Sequence, residues 1–229
     1  MKSSIKKLKF FPVTLAKAVY ISKKTTLDDY LSLRGKTWSA IGDSITAGNG
    51  GIPYQTVIGD KWDMNITTLG YSGATVSGTT GVIPLNGIAD KTDYITFWGG
   101  VNDFKSGAVT LGDMSSDKSN RNTFYGALHY ICRLLIKTYP NAKIGFITPM
   151  KFVFEGFDET NQTNSKSETL EQYVNAIKEV CAYYGIPVLD LYNENNMNPY
   201  ITEIKNTYYA DGLHPNSKGY IRSVSYTHL

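Results

Sequence analysis

From Trp38 onward the chain repeats one pattern: a short apolar run, a turn residue, then a longer stretch with helical periodicity. The apolar runs are TWSAIGDS (37–44), NITTLGYSG (65–73), DYITFWGG (93–100), AKIGFITP (142–149) and IPVLDLY (186–192). They are short, bounded by Gly and Pro, and rich in Ile, Val, Phe and Thr, the composition of strands buried on both faces. Between them, residues 122–139 place Phe124, Leu128, Ile131, Leu135 and Ile136 on one helical stripe that ends before Pro140. Residues 170–184 place Tyr173, Val174, Ile177, Val180 and Cys181 on another, stopped by Gly185 and Pro187. Strand and helix alternating in this way predict a five-stranded parallel sheet with helices on both faces, and 229 residues suffice for one such domain.

In a parallel sheet the chain leaves every strand at the same edge, where open α/β sheets bind their ligands. Ser44 closes the first run, just past the Gly at which its strand ends, Gly73 ends the second, and Asn102 follows the third in GGVNDF (99–104). Asp211 and His214 lie in YADGLHPNSKG (209–219). Two long connections, 104–120 and 151–166, leave the third and fourth strands and are candidate substrate walls. Trp98, Phe152 and Phe154 are the aromatics on this rim that could line a pocket, although aromatics are more often core.

These residue types suit acyl transfer. A serine hydroxyl needs a base within hydrogen-bond reach, which His214 can supply, and Asp211 can fix the imidazole tautomer and stabilise its cation. The Ser44 N–H, the Gly73 N–H and the Asn102 side-chain amide are candidate donors to an oxyanion. Ser72 is a rival nucleophile by position, but Ala74 breaks the G-x-S-x-G elbow of ordinary α/β-hydrolases. Asp103 reads as an orienting or capping residue, and Asp43 and His129 as structural.

Charge and cysteine usage exclude other classes. Seven lysines and no acid fall in residues 1–24, leaving 16 basic against 20 acidic residues after them, so no nucleic-acid surface is expected on the body. Cys132 and Cys181 sit among apolar neighbours and read as buried thiols. Three scattered histidines make no metal-ligand spacing, and no run is long enough for a membrane span.

GDSITAG, GYSGAT, GGVNDF and DGLHP resemble, in order and spacing, the four sequence blocks of the SGNH (GDSL) hydrolases, over about Ser39 to Gly219. The resemblance implies a flavodoxin-like three-layer α/β/α sandwich and ester hydrolysis through an acyl-enzyme, with no metal or cofactor. It implies Ser44 as nucleophile, Asp211 and His214 completing a triad, and Gly73 and Asn102 as oxyanion partners. The subgroup it is most similar to is the small bacterial esterases, many of which remove acetyl groups from carbohydrate. A small acyl ester or acetylated glycan is therefore the expected substrate. The alternatives are a lysophospholipase or thioesterase, or a non-catalytic glycan-binding tail module.

The two ends depart from this pattern. Residues 1–36 form a basic extension, within which FFPVTLAKAVYISKKTTLDDYL resembles attachment segments of phage tail and baseplate proteins. That resemblance favours a secreted or phage-particle setting over the cytoplasm. The hydrolase domain is expected over 37–222 with a truncated last helix, and 223–229 as a non-native tail.

Overall fold

The computed structural model describes residues 9–10 and 31–226; most of the basic extension and the last three residues lie outside it. The likeness to attachment segments falls almost wholly on those undescribed residues.

Five strands form one all-parallel sheet: β2 (Thr37–Gly42), β3 (Asn65–Gly70), β4 (Tyr94–Trp98), β5 (Lys143–Ile147) and β6 (Val188–Leu189), in the order β3-β2-β4-β5-β6. This is the doubly wound order of the flavodoxin-like sandwich, with its topological switch between β2 and β4. A separate two-residue pair joins β1 (Lys9–Phe10) to β7 (Ser225–Tyr226), antiparallel.

Strand alternation divides the core in two. Ile41, Ile95, Phe97 and Phe146 face a layer built by α4 (Phe124–Thr138) and α5 (Leu170–Tyr183). Trp38, Ala40, Tyr94, Trp98 and Leu189 face the opposite layer, where α2 (Tyr54–Trp62) and α7 (Ser217–Val224) pack. Both long helices begin where their caps require: Thr123 accepts from the Gly126 N–H, and Thr169 forms a capping box with Gln172. The expected stripes are buried except Ile136, which is 39% exposed on the outer side of α4. Cys132 and Cys181 are free, buried thiols on these two helices.

Shorter helices among the described residues are α1 (Ser44–Ala47), α3 (Val101–Ser106) and α6 (Thr202–Tyr208). The last helix, α7, ends at Val224, with Ser223 and Val224 buried. Among the described residues no helix is long and apolar enough to cross a membrane.

Candidate active site

The site is assembled at the carboxyl edge of three adjacent strands. β2 ends at Gly42, where a Cβ would collide with the Trp98 carbonyl and the Thr46 hydroxyl, so only glycine lets the chain turn there. Asp43 then caps α1 by accepting from the Ile45 N–H at 3.0 Å, which places Ser44 at the first helical position. Gly70 is pressed against the Ala47 backbone in the same way, so α1 is held against the ends of β2 and β3. The strand ends are tied laterally as well: the Tyr71 N–H donates to Gly42 at 2.9 Å and the Asp43 N–H to Trp98 at 3.3 Å.

Across the edge, the Asp211–Pro215 segment brings in the imidazole. The Asp211 Oδ1 accepts from the backbone N–H groups of Leu213 (2.9 Å) and His214 (2.7 Å), while its Oδ2 lies 2.7 Å from His214 Nδ1. His214 Nε2 is 2.9 Å from Ser44 Oγ. Partial burial pushes the Asp211 carboxyl up, but the His214 side chain and the two N–H donors outweigh it and hold the group below its ordinary value. Asp211 is therefore ionised at neutral pH, which favours a proton on Nδ1 and leaves Nε2 as the acceptor for the serine hydroxyl.

The oxyanion candidates flank Ser44 on both sides. Tyr71 and Ala74 close a turn, with the Ala74 N–H donating to the Tyr71 carbonyl at 3.1 Å. Gly73 holds the third position of that turn with φ +77°, a conformation that favours glycine. The N–H groups of Ser44 and Gly73 donate to none of the described residues. Asn102, the second residue of α3, gives one amide hydrogen to the Ala74 carbonyl at 2.9 Å and keeps the other. Asp103 braces the same contact from below: its carboxylate accepts from the N–H groups of Val76 (2.7 Å) and Ser77 (2.8 Å) and from the Ser77 hydroxyl (2.5 Å).

Of the three candidate pocket aromatics, one adjoins the site. Trp98 is 1% exposed and packs on Tyr54 with ring centroids 5.2 Å apart, because position 98 shares a sheet face with Tyr94 under α2. Phe152, 4% exposed, belongs to an aromatic cluster with Phe104 and Phe157. Trp98 is thus a core residue, whereas Phe152 lines a small cavity with Phe104 and Phe157. Phe154 stands edge-on to the His214 ring at 6.4 Å. The turn behind it carries positive φ at Glu155 and Gly156, and Lys105 clamps it, pairing with Glu155 at 2.7 Å and lying 4.5 Å from the Phe154 ring.

Two residues here escape sequence reading. Lys105 has no motif around it. The Tyr220 hydroxyl reaches the carbonyls of Ile45 (2.8 Å) and Asn49 (3.0 Å), fastening α7 to α1, and its only signal is its place six residues after His214. Ser72 is exposed and its hydroxyl donates to Asn49 at 3.2 Å, and His129 is buried beside the Tyr184 hydroxyl.

Residues 40–222 match the GDSL-like lipase/acylhydrolase family. The chain belongs to that family. As a GDSL-like acylhydrolase it is a carboxylic ester hydrolase, and the fold comparisons agree with the assignment. A Lactobacillus plantarum protein of solved structure is 29% identical, with a TM-score of 0.74 over 83% of this chain and 93% of its own. A possible lipase from Chitinophaga pinensis is 26% identical, TM-score 0.64, over 82% and 94%. The lipase/acylhydrolase from Enterococcus faecalis shares the fold at 20% identity, TM-score 0.55, over 81% and 89%. No curated protein matches the chain.

Proposed function

We propose that this acylhydrolase is a serine esterase that removes small acyl groups, acetyl above all, from carbohydrate. The observation that carries the mechanism is the unbroken hydrogen-bonded chain from Ser44 Oγ through His214 to Asp211. In the first half-reaction Ser44 Oγ attacks the ester carbonyl carbon while His214 Nε2 takes its proton. The charge formed on the carbonyl oxygen meets the N–H groups of Ser44 and Gly73 and the remaining amide hydrogen of Asn102. His214 then passes the proton to the departing alcohol, leaving an acyl-Ser44. Water, deprotonated by the same imidazole, attacks that ester, and collapse of the second tetrahedral intermediate returns the proton to Ser44.

A short acyl group fits the surroundings. The aromatic cavity under the 151–166 connection, lined by Phe104, Phe152 and Phe157, holds only about 10 Å³, the room of a single water at most. That cavity offers no room for an acyl tail.

The test is hydrolysis of p-nitrophenyl acetate by the natural protein and by Ser44→Ala, with circular dichroism as the folding control. Turnover is expected in the first, and a fall of about 1,000-fold or more in the second. Equal rates in both would remove Ser44 from the reaction.

A further inference from the structure

Two open compartments lie end to end beside the oxyanion side of the site. The nearer, of about 420 Å³, lies between the loop after Gly73 and the end of α3. Two of its lining residues are chain neighbours of the site: Thr75 follows the alanine whose carbonyl holds Asn102, and Asp103 follows Asn102 itself. The farther, of about 470 Å³, continues along the outer side of α4 past Tyr130 and Leu134. Gly78, Thr79 and Asn122 line both, and the Gly78 N–H, donating to the Arg121 carbonyl at 2.7 Å, forms the sill between the two halves of the trough. Each exceeds the ~300 Å³ at which small-ligand sites begin.

The lining has a definite chemistry. The hydroxyls of Thr79 and Thr80 and the carboxamide of Asn122 make no hydrogen bond to the described residues, so they are available to a ligand. The two charged groups on the walls are already engaged. Asp103 is occupied by Val76 and Ser77, and the Arg121 guanidinium donates to the Ile83 carbonyl at 3.0 Å while lying 5.6 Å from the Tyr130 ring. Aliphatic edges from Val109, Val82, Pro84 and Leu85 interleave with these polar groups. Hydroxyls and amides alternating with small apolar surfaces, and ending on a tyrosine, suit a ligand that itself alternates hydroxyl groups and C–H faces. A continuous acyl chain would leave the polar groups unpaired.

We propose that this trough is a binding site for a neutral oligosaccharide, taking up the sugar units that flank the acylated one. The inference deepens the carbohydrate reading above and rests on it. Its consequence is a preference for an acylated sugar within a chain over the same sugar alone.

Binding can be tested without turnover. Isothermal titration of the natural protein with unacylated xylotetraose, cellotetraose and mannotetraose, each against its monosaccharide, is expected to show at least one tetramer bound 10-fold or more tighter. Thr79→Trp, at the narrow shared stretch, should cut that ratio to within about twofold, and Thr80→Trp, in the near compartment alone, serves if the first variant fails to fold. No tetramer advantage across the three pairs, or an advantage that survives a folded tryptophan variant, overturns the trough. A tetramer advantage in a protein that fails to hydrolyse p-nitrophenyl acetate would instead overturn the esterase reading and leave the trough standing.

Discussion

At the scale of single residues, the site is built on buried acids whose work is to hold backbone. Asp43 is fully buried, and one of its oxygens, Oδ2, finds no partner among the described residues. Burial drives its carboxyl up to about 7, against the Ile45 N–H that pulls it down. Asp103 is pushed up to about 6 by the same desolvation. A carboxyl raised on folding favours the native state while protonated, and that contribution fades as pH climbs from about 4 through the raised value. Three pKa units correspond to about 4 kcal/mol. Asn at position 43 keeps the acceptor for Ile45 and removes the charge. The melting temperature of Asp43→Asn should therefore gain on that of the natural protein as pH rises from 4 to 8, and thermal melts across that range will show it. A constant difference would mean that Asp43 does not titrate there.

At the scale of elements, Ser44, the proposed nucleophile, is positioned by contacts from distant parts of the chain. Tyr220 fastens α7 to α1, and Ser217 on the same helix accepts from the Ile52 N–H at 3.0 Å. Tyr220→Phe should cost about 1 kcal/mol, read as a lower urea midpoint, together with a reduced kcat. An unchanged midpoint and kcat would show that the hydroxyl does not hold α1. The strands and the two long helices were legible in the sequence because doubly buried strands are continuous apolar runs and α4 and α5 carry wide stripes. Burial on both faces also hides which face a residue takes, so nothing in the run marked Trp98 as core. The fifth run shrinks to Val188–Leu189 because Asp190 turns away to meet Lys178 and Asn193. α2 went unread because its buried face includes the polar Gln55, bonded to the Thr46 carbonyl, and α6 because it buries nothing. The site residues were legible as four short blocks, since each sits at a strand end or a tight turn that leaves few residue choices. The clamp by Lys105 depends on a long loop folding back, which no local pattern records.

At the scale of the whole molecule, one edge of one sheet gathers the groups that the proposed chemistry uses. The switch point of the strand order lies between β2 and β4, so the segments carrying Ser44 and Asn102 diverge there and open a crevice, into which the last connection delivers His214. The small acyl group proposed above sets an order of chain-length preference. In a p-nitrophenyl ester series, kcat/KM should be highest for acetate and fall through butyrate to octanoate; a rise toward octanoate would favour a lysophospholipase or thioesterase. Acyl transfer through Ser44 is a covalent event at one atom, and peptide mapping by mass spectrometry after treatment with diethyl p-nitrophenyl phosphate tests it at that atom. The account predicts one diethylphosphoryl adduct per chain, on Ser44, formed in step with loss of esterase activity. An adduct on Ser72 or elsewhere, or activity lost with Ser44 unmodified, would contradict it.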